Sequence, residues 1–142
     1  MTNLRNRIAV VTGGGQGIGR AICDELAACG AHVIVTDIDG GKARAVAQAI
    51  TAGGGAATGL ELDVSDRSAV DACAEAIVRD HGAVSILVNN AGIGGAASLA
   101  DETSAALWDR TLAINLTGAY NMCRAFQGPL RETGGSIVNV SS

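Results

Sequence analysis

The chain has 142 residues, of which 48% are hydrophobic and 17% charged, with 20 glycines, 4 cysteines and a net charge of −4. A single domain of this size buries roughly 70% of its unfolded surface, and the apolar share with so small a net charge excludes intrinsic disorder. With 10 basic against 14 acidic residues and one each of Trp, Tyr and Phe, a nucleic-acid binder is not expected: there is no basic excess to neutralise phosphates and little offers bases a stacking surface. Lys42 is the only lysine and Tyr120 the only tyrosine.

In chain order, Ile8-Ala9-Val10-Val11 is a continuous, largely β-branched run, which predicts a strand buried on both faces. The glycine-rich turn Gly13 to Gly19 breaks it. From Gly17 to Cys29 the residues Ile18, Ile22 and Leu26 recur every fourth position, a helical stripe closed by Gly30. Val33-Ile34-Val35 is a second buried strand, ending at Asp37. Lys42 to Ala52 predicts a helix, stopped by Gly53-Gly54-Gly55, and Ala56 to Leu62 a weaker strand. Ser65 or Asp66 can cap the next helix, whose Val70, Ala74, Ile77 and Val78 share a face before it ends near His81-Gly82. Ile86-Leu87-Val88 is a fourth strand, and Asn89 to Leu99 a Gly/Ala-rich loop. A long helix runs from Thr103 or Ser104 to about Phe126, and Ile137 to Val140 is the fifth strand.

Strands alternating with helices predict an α/β fold: a Rossmann-like, doubly wound parallel sheet in three α/β/α layers, forming one domain over residues 1–142. Cys23, Cys29, Cys73 and Cys123 contain no C-x-x-C pair, and no His stands at metal spacing, so neither a metal site nor a disulfide framework is indicated. They read as small core or helix residues of a protein in a reducing cytoplasm. The apolar stretch after the polar N-terminus is too short for a signal sequence or a membrane span.

The first strand-to-helix turn is Thr12-Gly13-Gly14-Gly15-Gln16-Gly17-Ile18-Gly19. Glycines there allow positive φ and close approach of a ligand, and the helix that follows offers unpaired N–H groups and the positive end of its dipole to a pyrophosphate. Tight packing is the alternative reason for them. Gly14 and Gly19 have the spacing of a P-loop, but Arg20-Ala21 replace the Lys and Ser/Thr it requires. Asp37, close to the distance of about 20 residues at which dinucleotide folds place an acid, can accept hydrogen bonds from a ribose diol and repels a 2′-phosphate. With Gln16 and Ile38 neutral, NAD is expected in preference to NADP. A helix-capping role for Asp37 is the alternative, and Asp39 is better placed for it.

These residues resemble the classical short-chain dehydrogenases/reductases over the whole chain. Thr12-Gly13-x-x-x-Gly17-Ile18-Gly19 matches that family's cofactor turn, and Asp63-Val64 its adenine-contacting pair. Asn89-Asn90-Ala91-Gly92 matches the motif after its fourth strand. Asn115-Leu116-x-Gly118 matches the helix bearing its active-site Asn, and Gly135 to Ser142 the strand ending at its active-site Ser.

The resemblance implies a reversible hydride transfer between a nicotinamide and a secondary alcohol or ketone. Ser142 would orient the substrate oxygen, and Asn115 would hold a water for proton relay. It implies cofactor contacts at Gly13, Gln16, Gly17, Ile18, Gly19, Asp37, Ile38, Asp63, Val64, Asn90, Ala91 and Gly92. Asn89 is expected to serve the sheet. A solvated Asp beside the Ser65 cap is the alternative for Asp63, and a core hydrogen bond the alternative for Asn115. A homo-dimer or homo-tetramer is implied, formed through the long helix.

The family's acid/base residues, a Tyr and a Lys in Y-x-x-x-K, are not in this sequence: Lys42 precedes Tyr120, and Tyr120 precedes the Ser strand. The expectation is therefore the N-terminal part of such an enzyme, inactive by itself and lacking the last strands. A non-catalytic dinucleotide-binding module is the alternative, and a flavin or P-loop fold of similar topology a remoter one.

Overall fold

Strands β1 (Ile8–Thr12), β2 (His32–Asp37), β3 (Ala56–Glu61), β4 (Ile86–Asn89) and β5 (Ser136–Asn139) stand side by side in the order β3-β2-β1-β4-β5, and every pairing is parallel. The structure, a computed structural model, describes residues 2–95 and 97–141. Between the strands run α1 (Gly17–Ala28), α2 (Gly40–Ala52) and α3 (Arg67–His81), and after β4 come α4 (Ser104–Leu112) and α5 (Ala119–Thr133).

Successive strand residues face opposite sides of a sheet, so β-branched runs build two cores at once. Val10, Ile34 and Leu87 pack with Val70 and Ile77 of α3 and Met122 and Phe126 of α5. Val11, Val33, Val35 and Val88 pack on the other face with Cys23 of α1 and Val46 and Ile50 of α2. The result is the expected three-layer, doubly wound Rossmann-like fold. From β1 the chain builds outward to β2 and β3, then returns to lay β4 and β5 on the other side. Strand order thus reverses between β1 and β4, and ligands of open α/β sheets bind at the carboxyl ends flanking such a reversal.

Three details depart from the expected elements. The long helix does not end near Phe126: α5 continues through Pro129 to Thr133. Its last turn is held by burial of Leu130 and by the Thr133 hydroxyl, which donates to the Val84 carbonyl at 3.0 Å. The same long helix is widened midway into a π segment, Ala113–Gly118. Ile18 does not join the buried stripe of α1 and is 66% exposed; Cys23 takes the core position instead. β5 is exposed along its length, as are Trp108, Leu112, Leu116 and Tyr120, spaced every fourth residue along one face of the long helix. Among the described residues no helix is long and apolar enough to cross a membrane.

At the amino end of the sheet, His32 lies edge-on to His81, with ring centroids 4.7 Å apart, and its Nε2 is 3.1 Å from the Thr58 hydroxyl. Burial, and secondarily the neighbouring His81, hold the His32 pKa below its usual value. The unfolded chain therefore takes up this proton first as pH falls. The contribution is intact above the unfolded value of about 6.5 and is lost as pH drops from there toward the folded one. Urea midpoints are expected to fall further between about pH 7.5 and about pH 5.5 in the unaltered protein than in His32→Gln. Equal falls would clear His32 as the cause.

Candidate functional site

The glycine turn lies at the carboxyl end of β1, beside the strand-order reversal. Gly17 adopts φ +55 with open space around its Cα, so its conformation alone calls for glycine. Gly19 is glycine for a different reason: a Cβ there would lie 2.1 Å from the Gly13 carbonyl oxygen. The helix that follows is left uncapped. Gln16 at its N-cap makes no side-chain hydrogen bond to it and no acid stands in its first turn. By contrast, Asp39 caps α2 by accepting from the Lys42 N–H and Asp66 caps α3 by accepting from the Ala69 N–H. The amino end of α1 thus keeps its unpaired N–H groups and dipole available to an anion.

Asp37, at the end of β2, has a carboxylate fixed by two backbone donors. Its Oδ2 accepts from Gly15 N–H at 2.9 Å and its Oδ1 from Asp39 N–H at 3.0 Å. It therefore fastens the glycine turn to the start of α2, while Asp39 does the capping. Asp63 uses one oxygen on its own loop, accepting from the Ser65 hydroxyl at 2.6 Å and the Ser65 N–H at 2.9 Å. Its other oxygen has no partner among the described residues.

Thr12 joins β1 to β4 at the reversal. Its hydroxyl oxygen accepts from the N–H groups of Asn90 and Ala91, both at 3.0 Å. In return the Asn90 side-chain amide donates to the carbonyls of Thr12 at 3.0 Å and Gly13 at 3.2 Å. Asn90 thereby holds the first peptides of the glycine turn. Buried Asn89 donates to Asn139 Oδ1 at 2.8 Å and ties β4 to β5, serving the sheet.

Asn115 sits in the π segment, a form of helix that recurs at functional sites. Its side chain is not buried in a core: it clamps the Ile93 peptide, with Oδ1 accepting from Ile93 N–H and Nδ2 donating to Ile93 O, each at 2.9 Å. This clamp sets the loop that follows Gly92. Ser142, the expected substrate-orienting serine, lies outside the described residues.

The structure brings every expected cofactor residue to one cleft of about 380 Å³: Gly13, Gln16, Gly17, Ile18 and Gly19, then Asp37 and Ile38, Asp63 and Val64, and Asn90, Ala91 and Gly92. Leu62, Ile93, Arg110 and Ile114 complete its wall. A larger groove of about 610 Å³ between α3 and α5 is lined by Asp71, Glu75, Arg79 and Arg124. It lies on the outer helix face, away from the strand ends, and Arg124 pairs across it with Asp71.

A family model described as short chain dehydrogenase matches residues 7–142. The chain belongs to the short-chain dehydrogenase family. It is 50% identical over 134 residues to "Probable oxidoreductase EphD" of Mycobacterium tuberculosis, matching 93% of this chain and 22% of that protein. To D-threitol dehydrogenase of Mycolicibacterium smegmatis it is 41% identical over 140 residues, or 98% of this chain and 54% of that one. The crystal structure of a metagenomic short-chain oxidoreductase in complex with NADP superposes with a TM-score of 0.91 at 39% identity, over 98% of this chain and 62% of that one. The chain thus spans about half the length of the dehydrogenase and less of the larger protein.

Sequence reasoning missed two groups of this cleft. Thr12 was legible only as a motif letter, although a hydroxyl ending an otherwise apolar strand was a signal. Arg110 carries no signal in the sequence, because nothing local shows that α4 leans over the cleft. Tyr120, with Arg124 four residues on, makes no acid/base pair. The Arg67 guanidinium lies 5.8 Å from its ring centre, and Arg124 binds Asp71. The Cys23 thiol, packed under Gly14, is pushed up to about 12 by burial, which makes it a packing group and no nucleophile.

Proposed function

We propose that the cleft binds a nicotinamide dinucleotide, NAD ahead of NADP, for an oxidoreductase acting on a secondary alcohol or ketone. The observation that carries this is the uncapped amino end of α1 above a turn in which Gly19 leaves no room for a Cβ, with the Asp37 carboxylate on the same cleft wall. The residues fit the group. Gly13, Gln16, Gly17, Ile18 and Gly19 would hold its diphosphate, and Asp37 with Ile38 the adenosine ribose. Asp63 and Val64 would take the adenine, leaving Asn90, Ala91 and Gly92 for the second ribose. When bound, the nicotinamide supplies the hydride acceptor or donor.

In this reading Asn115 holds the Ile93 loop and a water at the π segment, and Ser142 orients the substrate oxygen. The Tyr and Lys that move the proton have no counterpart among these 142 residues, so the chain alone is inactive and the activity belongs to a longer parent. The exposed apolar face of the long helix supports a dimer or tetramer of that parent. The four cysteines, all unpaired, support a cytoplasmic setting. Polyols, the class in the threitol relative's name, are the first substrates to try.

Calorimetric titration with NAD and NADP tests the reading. NAD is expected to bind more tightly, and equal affinities in the unaltered protein would sink the preference. Asp37→Asn keeps an acceptor for one backbone N–H while removing the charge. It should narrow the NAD-to-NADP ratio about tenfold, or about 1.4 kcal/mol. Binding of NAD with no hydride transfer by the parent on any alcohol or ketone would favour a non-catalytic module.

A further inference from the structure

The two histidines of the chain meet at the amino end of the sheet, opposite the cleft. His32, the first residue of β2, stands between two elements that are consecutive in the chain. Its Nε2 is 3.1 Å from the hydroxyl of Thr58 on β3. Its ring lies edge-on to that of His81, the last residue of α3, with centroids 4.7 Å apart. β3 and α3 are the two legs of an arch, whose crown brings Leu62, Asp63 and Val64 into the cleft wall. β2 therefore holds the arch at both levels. At the crown the Asp37 carbonyl accepts from Leu62 N–H at 2.9 Å, and at the feet His32 touches both legs.

The charged groups around the feet are committed elsewhere. Ahead of β1, the Arg7 carbonyl accepts from His32 N–H at 2.9 Å, while the Arg7 guanidinium donates to the Thr133 carbonyl at 3.4 Å. On α3, Asp80 takes two hydrogen bonds from Arg79, at 2.8 and 3.0 Å. β3 contributes the Thr58 hydroxyl, which does not titrate. Among the described residues neither imidazole forms an ion pair, so a second proton on the pair sets two like charges together with no bonded counter-ion. The contact with Thr58 outlasts protonation, since an imidazolium still donates to a hydroxyl. The contact that fails is the one with His81, which frees the foot of α3. Capped by Asp66 at one end and by the Gly82 N–H on the Val78 carbonyl at the other, α3 moves as a rod and carries the crown with it.

We propose that the His32–His81 contact is an acid-released tie on this arch, so that falling pH loosens the adenine side of the cleft and a bound nicotinamide dinucleotide in turn keeps the tie closed. The proposal rests on the dinucleotide-binding reading above. The coupling is reciprocal: the factor that protonation costs in affinity is the factor by which the ligand opposes protonation.

The test follows both imidazoles by NMR of the isotope-labelled protein from about pH 8 to about pH 5, with and without saturating NAD, alongside calorimetric titration with NAD. Affinity for NAD is expected to fall about threefold or more between about pH 7.5 and about pH 5.5. Saturating NAD should move the His32 midpoint down by about half a pH unit, the counterpart of that factor. In His81→Gln, which leaves His32 on Thr58, both effects should largely disappear, and His32→Gln should flatten the affinity in the same way. The carboxylates of the cleft are present in every variant and cancel in the comparison. If NAD binds and His32 titrates identically with and without it, or if His81→Gln loses as much affinity with falling pH as the unaltered protein, the proposal is overturned. If the unaltered protein binds no NAD at neutral pH, the dinucleotide reading itself fails and takes this one with it.

Discussion

Gly19→Ala is expected to weaken NAD binding by about 100-fold or more, a loss of about 2.7 kcal/mol. The added methyl would sit 2.1 Å from the Gly13 carbonyl oxygen and 2.5 Å from the Asn90 side-chain nitrogen. Neither can retreat cheaply. Gly13 O is backbone, and the Asn90 amide is committed to the carbonyls of Thr12 and Gly13. The turn must shift, which takes the N–H groups of α1 away from a diphosphate and costs about 1–3 kcal/mol of fold stability by overpacking. Gly17→Ala is the instructive contrast. Nothing lies within 4 Å of its added methyl, so the cost is the left-handed backbone alone, about 1–2 kcal/mol. Titration with NAD and urea denaturation of both variants separate the two effects. Near-normal affinity in Gly19→Ala would show that the turn does not bear on the ligand.

Thr12→Val should cost about 2–4 kcal/mol of stability while leaving the shape of the strand almost unchanged. The hydroxyl oxygen it removes accepts from two N–H groups, those of Asn90 and Ala91, and Thr12 is 1% exposed. A buried donor stripped of its partner costs about 1–3 kcal/mol. The loop after β4 is then released from β1, and cofactor affinity should fall with stability. Thr12→Ser keeps the oxygen and should retain most of both. A Thr12→Val midpoint within about 0.5 kcal/mol of the unaltered protein would mean that other contacts hold the two strands together.

Much of the fold was legible because its signals are local. Val33-Ile34-Val35 has to be buried on both faces wherever it lies, and the Gly53-Gly54-Gly55 run ends a helix regardless of what surrounds it. The end of α5 was misjudged for the opposite reason. Gly128-Pro129 is a local stop signal, but burial of Leu130 and the Thr133 hydrogen bond to Val84 outweigh it, and neither can be seen from neighbouring residues. Ile18 misled as well. Its spacing from Ile22 suits a helical stripe, yet it stands on the first turn of α1, which faces the cleft.

The amino-acid sequence by itself determined the alternation of strands and helices, the glycine turn that opens α1, and the acid that ends β2. Apolar periodicity, glycine spacing and an element's last residue are properties of short stretches of chain. Only the tertiary structure decided what those features touch. It brought Lys42 onto Gln16 across 26 residues and the Asn90 N–H onto Thr12 across 78, and it gave Asn115 the Ile93 peptide as its partner in place of a core hydrogen bond. A parallel sheet that reverses its strand order gathers the carboxyl ends of distant strands at one crevice. The partners of each side chain there come from remote parts of the chain, where local pattern carries no record of them.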